Sequence, residues 1–413
     1  MSACLAGPRS TCAGSSDLTV NALFRRFGTA FAATTSLSLQ QRRVLRDLQL
    51  CRTPQLGGHL ERCDSCGHCH LLLHSCRNRH CPTCQSLLQK AWLEARCERI
   101  LPVPHFHVVF TLPACLRPLV RAHGSHLYKL LFETTSTTLL TFGKDPRHLG
   151  AQLGITAVLH TWTRDLQFHP HLHCIVTAGG LNADGSRWVP GSPRFLFPVK
   201  ALSALFRGKF LDGVQQLFHQ GHLPSLGALE LSLLLASARA QPWVVYAKRP
   251  FGGTKALFSY LGRYTHRTGI SNQRLLSVSD DAILFRTRGK QTCTLAPFEF
   301  LRRFLLHVLP PRFVKVRHFG LYASGNVNHR LRKALLLLPT QRRALAPDTK
   351  LLAPTAGTAP PLATSDSSNK EPLLPRCPVC LRGSMVPSAS LEQVARVLCE
   401  LFAALAALRK DTS

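Results

Sequence analysis

Acidic side chains are scarce in this chain of 413 residues. It carries 21 Asp and Glu against 51 Lys and Arg, a formal net charge of +30 and a pI near 10.4. A field of that sign attracts polyanions, because Lys and Arg release the counterions condensed on a phosphate backbone. No polybasic tail lies beside an apolar span, which favours nucleic acid over an anionic membrane.

Long apolar runs are also missing. No stretch reaches about 18 residues without a charge, so a membrane span is not expected. The segment 1–17 lacks the basic start and sustained apolar run of a signal peptide. We therefore expect a cytoplasmic protein with no membrane partner. In that compartment 16 cysteines indicate metal binding rather than disulfides.

Local patterns predict an α+β fold with several segments. Helical spacing marks 36–50, 85–100, 257–264 and 298–308 as helices, and Ser38 with Gln41 resembles a capping box. Apolar, β-branched and aromatic residues mark strands at 105–112, 171–177 and 243–247. Composition divides the chain into an N-terminal segment (1–35), a helix with a cysteine-rich domain (36–100), a catalytic domain (101–343), a linker (344–376) rich in Pro, Thr, Ser and Ala, and a C-terminal segment (377–413).

Two Cys-x-x-Cys pairs dominate the cysteine-rich segment. Cys63 with Cys66 and Cys81 with Cys84 predict one tetrahedral zinc held by four thiolates, which is a structural site. Cys76 and His80 lie nearby and are the candidate ligands of a second zinc.

A third pair, Cys377-Pro-Val-Cys380, has no partner close in sequence. By itself it is consistent with a packed turn, a reducible pair, or half of a metal site completed from elsewhere.

Histidines recur at alternate positions in His169-Pro-His-Leu-His173. On a strand all three point to one face, and neighbours on that face are about 7 Å apart, close enough to share an ion. The outer two are about 13 Å apart on a straight strand. We therefore predict His171 and His173 as the ligand pair, because they lie in the apolar run that continues to Val176.

Other side chains compete for a place at this site. His105 and His107 have the same spacing, and a rim position on a strand is as good an interpretation for them. Asp165 and, at longer range, Glu299 are the acidic candidates for a third ligand or a supporting contact.

Two of the five tyrosines, Tyr260 and Tyr264, are four residues apart, which places both phenols on one helix face. From the spacing alone, aromatic packing of both rings in the core is the better explanation. The surrounding positive charge favours a nucleophilic role, since a phenol of reference pKa about 10 needs cations or a metal to attack a phosphodiester. The candidate DNA-binding residues of this segment are Arg263, His266, Arg267 and Arg274.

Together these segments resemble a known family. Eight motifs, in order from about Cys51 to Leu321, are similar to those of the rolling-circle, two-tyrosine insertion-sequence transposases: CRTPQLGGHLERCDSCGHC, CRNRHCPTCQ, HFHVVFTLP, HPHLHCIV, WVVYAKRPFGG, YLGRYTHR, EFLRRFLLHVLP and VKVRHFGL. That family belongs to the His-hydrophobe-His (HUH) endonuclease superfamily and carries an N-terminal zinc-binding domain.

The resemblance implies an antiparallel-sheet endonuclease domain flanked by helices, behind a small zinc-binding domain. It implies Mg²⁺ or Mn²⁺ on His171 and His173, structural Zn²⁺ in the cysteine-rich domain, and nucleophiles at Tyr260 and Tyr264. The expected activity is nicking and rejoining of single-stranded DNA through a 5′-phosphotyrosine. Two alternatives stay open at this stage: a non-catalytic zinc-dependent nucleic-acid-binding protein, and a single-tyrosine replication initiator or relaxase.

Overall fold

The computed structural model describes residues 18–84, 100–192, 194–248, 269–338, 374–393 and 395–396. The chain forms two compact units. The larger unit takes Met1–Leu45 and Arg79–Thr349, and the smaller unit takes Arg46–Asn78 and Lys350–Ser413. The smaller unit is therefore built from two stretches that lie far apart in sequence.

Helices and strands are interspersed along the described residues. The helices are α1 (Val20–Thr34), α2 (Leu39–Leu50), α3 (Arg117–Ala122), α4 (Gly124–Lys144), α5 (Val199–His219), α6 (Ala228–Ala240), α7 (Pro297–Leu305) and α8 (Arg332–Leu337). The strands are β1 (Gly58–Cys63), β2 (Cys69–Leu73), β3 (His105–Thr111), β4 (Gln152–Trp162), β5 (Phe168–Leu181), β6 (Trp188–Pro190), β7 (Val245–Lys248), β8 (Leu275–Val278), β9 (Ile283–Arg286), β10 (Thr292–Leu295), β11 (Val316–Gly320) and β12 (Met385–Ser390).

A six-stranded sheet forms the centre of the larger unit. Its order is β11-β4-β5-β3-β7, with β6 pairing to the end of β5, and every pair is antiparallel. Alternate residues of β3, β4 and β5 point into a core that α4 and α5 cover, where Phe110 meets Phe206 edge to face at 5.0 Å. The opposite face of the sheet carries polar side chains, among them His107, His160 and His171.

The smaller unit contains a three-stranded antiparallel sheet in the order β12-β1-β2. Strand β12 comes from the C-terminal stretch and pairs with β1 from His59 to Cys63. In the described part of this unit, the buried apolar cluster at the sheet is small and consists of Cys63, Cys377 and Met385, with Cys380 packed against it.

The α+β fold of antiparallel sheets and helices agrees with the sequence prediction. The predicted strands correspond to β3, β5 and β7, and the helices at 36–50 and 298–308 correspond to α2 and α7. The capping box is confirmed, because Ser38 and Gln41 exchange two side-chain-to-backbone hydrogen bonds of 3.0 and 3.2 Å. The helices predicted at 85–100 and 257–264 lie outside the described residues, except for residue 100, as does nearly all of the linker.

Strand β4 was not predicted. It spans Gln152–Trp162, is almost wholly buried, and pairs with both β5 and β11. Within the part of the chain that is described, no helix is long and apolar enough to span a membrane.

Candidate functional site

Three histidines meet on the polar face of the central sheet. His171 and His173 lie on β5, and His160 lies on the neighbouring β4, directly opposite His171 in the antiparallel register. Leu159, Leu172 and Cys174 alternate with them and point into the core. The alternation of the two strands thus places all three imidazoles on one side of a rigid sheet.

The ligand nitrogens of these imidazoles face one another. Nε2 of His171 lies 3.1 Å from Nε2 of His173, and one ring nitrogen from each of the three histidines lies within 4.8 Å of the other two. Two ligands at right angles about an ion roughly 2.1 Å away would be about 3 Å apart. The residues present therefore fit a divalent cation.

Burial keeps His171 in the protonation state that binds metal. His160 is only 3% exposed, and burial lowers the pKa of His171 to about 4, so that its imidazole is neutral at neutral pH. Nδ1 of His171 lies 2.6 Å from the backbone carbonyl of His169. A proton donated there leaves the lone pair on Nε2, which faces His173.

His107 supports His173 from the adjacent strand β3. Its Nε2 lies 2.8 Å from Nδ1 of His173, and the two rings stack at 5.1 Å with an interplanar angle of 8°. Burial, helped by the positive charge of Lys248, lowers the pKa of His107 to about 4. A neutral His107 can accept the Nδ1 proton of His173, which directs the Nε2 of His173 toward His171.

His105, two residues earlier on the same strand, has a different role. Its Nδ1 lies 2.7 Å from the carbonyl of Val103 and its Nε2 lies 2.7 Å from the hydroxyl of Tyr322. Both contacts are fully buried, so His105 joins β3 to the segment after β11.

His169 lies beside the three-histidine cluster without joining it. Nη2 of Arg117 contacts its Nδ1 at 2.8 Å. Between the pairs His160–His171 and Trp162–Phe168, β5 has one more residue than β4. Pro170 falls in this bulge, a position that tolerates a residue without a backbone N–H.

The two acidic candidates are engaged elsewhere. Asp165 accepts a hydrogen bond from the hydroxyl of Thr163 at 2.5 Å, and Glu299 bonds Arg302 and Arg303, each at 2.6 Å. The two arginines lower the pKa of Glu299 to about 2. Among the described residues, neither carboxylate belongs to the histidine cluster.

The cysteines are grouped differently from the prediction. Cys63 and Cys66 share their cluster with Cys377 and Cys380 rather than with Cys81 and Cys84, and the four Sγ atoms lie within 4.8 Å of one another. Backbone amides of Gly383 and Arg382 lower the pKa of the Cys380 thiol to about 6. The nearest Cys-x-x-Cys pairs in sequence are therefore not partners, and this prediction was wrong.

The remaining predicted zinc ligands lie in both units. In the larger unit the buried Cys81 and Cys84 have their Sγ atoms within 4.8 Å of each other, and in the smaller unit Cys76 lies equally close to Cys51. His80 belongs to none of the metal-ligand groups found among the described residues. Its ring is buried, which lowers the pKa to about 3.

Comparison with known proteins gives two family matches. Residues 154–330, which include the three histidines, match the family described as "Putative transposase", and residues 23–112 match the "Transposase zinc-binding domain". "Putative transposase y4qJ" of Sinorhizobium fredii is 42% identical over 382 residues, covering 88% of this chain and 93% of the relative. The chain belongs to this transposase family.

A second relative of this transposase is the "Transposase for insertion sequence element IS801" of Pseudomonas savastanoi pv. phaseolicola. It is 29% identical over 334 residues, which cover 74% of this chain and 79% of the relative. No solved structure matches the chain significantly. The resemblance to insertion-sequence transposases stated from the motifs is thus confirmed, and so is the zinc-binding domain.

Most of the predicted tyrosine segment lies outside the described residues, including Tyr260, Tyr264, Arg263, His266 and Arg267. Arg274 is described, and its guanidinium donates to the backbone carbonyls of Arg286 (2.7 Å), Gly269 (3.2 Å) and Arg164. These bonds tie the start of β8 to the β4–β5 turn. These bonds give Arg274 a structural role, and its contact to DNA stays a prediction.

Sequence reasoning missed two sets of residues in the transposase. His160 was missed because β4 was not recognised, although the alternation in Ile155–Trp162 is a strand signal. The pairing of Cys377 and Cys380 with Cys63 and Cys66 has no local signal, because 311 positions separate Cys66 from Cys377.

Proposed function

We propose that this transposase nicks and rejoins single-stranded DNA at the ends of its element through a covalent 5′-phosphotyrosine intermediate. Tyr260 and Tyr264 are the nucleophiles, and His160, His171 and His173 hold a divalent cation beside the scissile phosphate. The observation that carries the proposal is the convergence of three imidazole nitrogens, each within 4.8 Å of the others, on one face of the sheet.

The composition of this ligand set suits attack on a phosphodiester. Three neutral imidazoles leave the full double charge of the ion, whereas carboxylate ligands would cancel part of it. A bound Mg²⁺ or Mn²⁺ would draw electron density from the scissile phosphate and stabilise the charge that develops during attack.

The protein side chains set up this chemistry before DNA arrives. The His169 carbonyl and His107 fix the tautomers of His171 and His173, so that both Nε2 lone pairs face the same point. All three ligands are on paired strands with an apolar core behind them. The site is therefore rigid, as placement of a reacting phosphate requires.

The covalent step conserves the energy of the broken bond. The tyrosine phenol gives up its proton as its oxygen attacks the phosphorus, and the bond to the 3′ oxygen of the preceding nucleotide breaks. That oxygen takes up a proton and leaves as a free 3′-OH, so no net proton is gained or lost. The tyrosine then carries the 5′ phosphate as a diester. Attack by a 3′-OH on this diester reverses the step, so rejoining needs no nucleotide cofactor. Two nucleophiles allow a second cleavage before the first link is resolved.

Cleavage of a single-stranded oligonucleotide carrying an element end tests the proposal. With Mn²⁺ present, wild-type protein should form an adduct that survives denaturation, and Tyr260→Phe with Tyr264→Phe should form none. Tyr246→Phe is the matched control, because Tyr246 is 55% exposed whereas Tyr128 and Tyr322 are buried. An adduct formed by the double variant would refute the mechanism.

The same assay separates the alternatives. Binding of the oligonucleotide without metal-dependent nicking would identify a non-catalytic DNA-binding protein. Loss of all strand transfer in only one of the two single Tyr→Phe variants would identify a single-tyrosine enzyme. His160→Ala should abolish nicking, while His219→Ala, which changes an exposed residue at the end of α5, should retain it.

A further inference from the structure

We propose that Cys63, Cys66, Cys377 and Cys380 bind one structural Zn²⁺, and that this ion holds the C-terminal segment 374–393 onto the sheet of the smaller unit. The matched zinc-binding domain covers residues 23–112, so it contains only half of this ligand set. The proposal is independent of the strand-transfer chemistry of the histidine cluster.

The distances between the sulfurs fit a tetrahedral ion. Sγ of Cys63 lies 3.7 Å from Sγ of Cys380, and Sγ of Cys66 lies 3.6 Å from Sγ of Cys377. Thiolates at roughly 2.3 Å from a tetrahedral zinc are about 3.8 Å apart. A disulfide would bring two sulfurs to about 2.05 Å. The separations therefore match shared coordination and exclude a bond between these pairs.

The two Cys-x-x-Cys turns have the same backbone geometry. Gly67 donates its N–H to the carbonyl of Cys63 at 3.1 Å, and Leu381 donates to the carbonyl of Cys377 at 3.1 Å. Both donors follow the second cysteine of their pair, and both have a positive φ, 68° and 58°. A leucine rarely adopts that conformation, so the C-terminal turn is held in this form by its surroundings.

Backbone N–H groups point at the sulfurs in both turns. Cys66 N–H donates to Sγ of Cys63, and Gly383 N–H donates to Sγ of Cys380, each at 3.4 Å. Val379 N–H does the same for Cys377, also at 3.4 Å. Such bonds stabilise thiolates, which is the ionisation state that zinc requires.

The two turns also contact each other directly. A side chain at Gly383 would place its Cβ 2.6 Å from Sγ of Cys63 and 2.4 Å from the carboxylate of Asp64. That carboxylate accepts the N–H of Ser384 at 2.9 Å, and the Asp64 N–H donates to the Ser384 carbonyl at 3.1 Å. Glycine at 383 is therefore what allows the turns to close on one ion.

A small apolar core makes the ion important for the whole sheet. Among the described residues, the buried apolar cluster of this sheet consists of Cys63, Cys377 and Met385, with Cys380 packed against it. A domain with so few buried apolar groups depends on a metal or a covalent bond for its fold. Pairing of β12 with β1 should therefore depend on zinc.

Metal content of the full-length protein is the first test. Wild-type protein should contain one more zinc per chain than Cys377→Ser with Cys380→Ser. Cys69→Ser with Cys293→Ser is the matched control, because neither cysteine belongs to a metal-ligand group in the described residues, and its zinc content should equal the wild-type value. Equal zinc in wild type and the Cys377/Cys380 variant would overturn the proposal.

Hydrogen exchange tests the attachment of the C-terminal segment. In the Cys377/Cys380 variant, amides of β12 that pair with β1 should lose their protection, while peptides of β4 and β5 keep theirs and report an intact larger unit. Unchanged protection of β12 after loss of the zinc would refute the attachment.

One further variant distinguishes the loss of zinc coordination from a general folding defect. Cys380→His keeps a ligand of the kind found in Cys₃His sites and should retain the zinc and the protection of β12. Loss of both in this variant, with β4 and β5 still protected, would also count against zinc coordination at position 380.

Discussion

Replacement of His107 by alanine should weaken divalent-metal binding at the histidine cluster without removing a ligand. His107 is 7% exposed, and its Nε2 lies 2.8 Å from Nδ1 of His173. With a neutral His107 as acceptor, the Nδ1 proton of His173 has a partner, and the Nε2 lone pair is aimed at the ion. In His107→Ala that proton loses its partner and the ring of His173 loses the ring stacked against it.

The size of the effect follows from that contact. A metal-bound imidazole is polarised, so its N–H forms a hydrogen bond of the charged class, whose loss costs about 1.5–3 kcal/mol. That corresponds to roughly 10- to 150-fold in the dissociation constant. Losses of about 10–100-fold are typical when the residue that orients a metal-binding histidine is removed. We therefore expect His107→Ala to raise the Kd for Mn²⁺ by about 10–100-fold.

Titration calorimetry with Mn²⁺ measures this Kd directly. His107→Gln retains a carbonyl oxygen that can accept the same proton and should recover part of the affinity. His105→Gln is the matched control on the same strand and face, because His105 contacts Val103 and Tyr322 instead of the cluster. Wild-type affinity in His107→Ala, or an equal loss in His105→Gln, would refute the assigned role.

Three further predictions follow from the structure. Imidazole nitrogens favour transition-metal ions over Mg²⁺. Nicking should therefore reach half its maximal rate at an Mn²⁺ concentration at least ~10-fold below the Mg²⁺ concentration that has the same effect. Equal half-maximal concentrations of the two ions would contradict this. Burial lowers the pKa of His105 from 6.5 to about 4, so the unfolded chain binds a proton that the folded chain excludes as the pH falls through this window. Between pH 7 and pH 5 the free energy of unfolding, measured with urea, should therefore fall in wild type. In His105→Gln it should fall by about 2 kcal/mol less. Equal falls in the two proteins would contradict the lowered pKa of His105. Arg274→Ala removes three hydrogen bonds to backbone carbonyls and should lower the free energy of unfolding by about 1–2 kcal/mol in the same assay. A weaker Kd for single-stranded DNA with unaltered stability would instead support the predicted contact to DNA.

Local periodicity was sufficient for the elements whose signal is local. Strands β3 and β5 and helices α2 and α7 lie where their apolar patterns placed them, because one face of each is buried. Ser390 and Gln393 even repeat the capping box of α2, with bonds of 2.7 and 3.1 Å.

Contacts between distant segments could not be predicted in the same way. Strand spacing brought His171 and His173 together, but the third imidazole comes from β4, and its register against β5 is set by tertiary pairing. The partners predicted for Cys63 and Cys66 were wrong for the same reason. Proximity in sequence favoured Cys81 and Cys84 over Cys377 and Cys380. Sequence patterns identified the histidine and cysteine side chains that can bind metal. Tertiary pairing of distant segments determines which of these side chains lie close together.

The pairing of β12 with β1 also fixes the order in which the chain can mature on the ribosome. The 311 positions between Cys66 and Cys377 take roughly 15–60 s to translate at about 5–20 residues per second. During that time β1 and β2 lack their third strand, and every strand of the central sheet has been translated before β12 is made. The central sheet can therefore form first, and the smaller unit closes only after β12 has been translated.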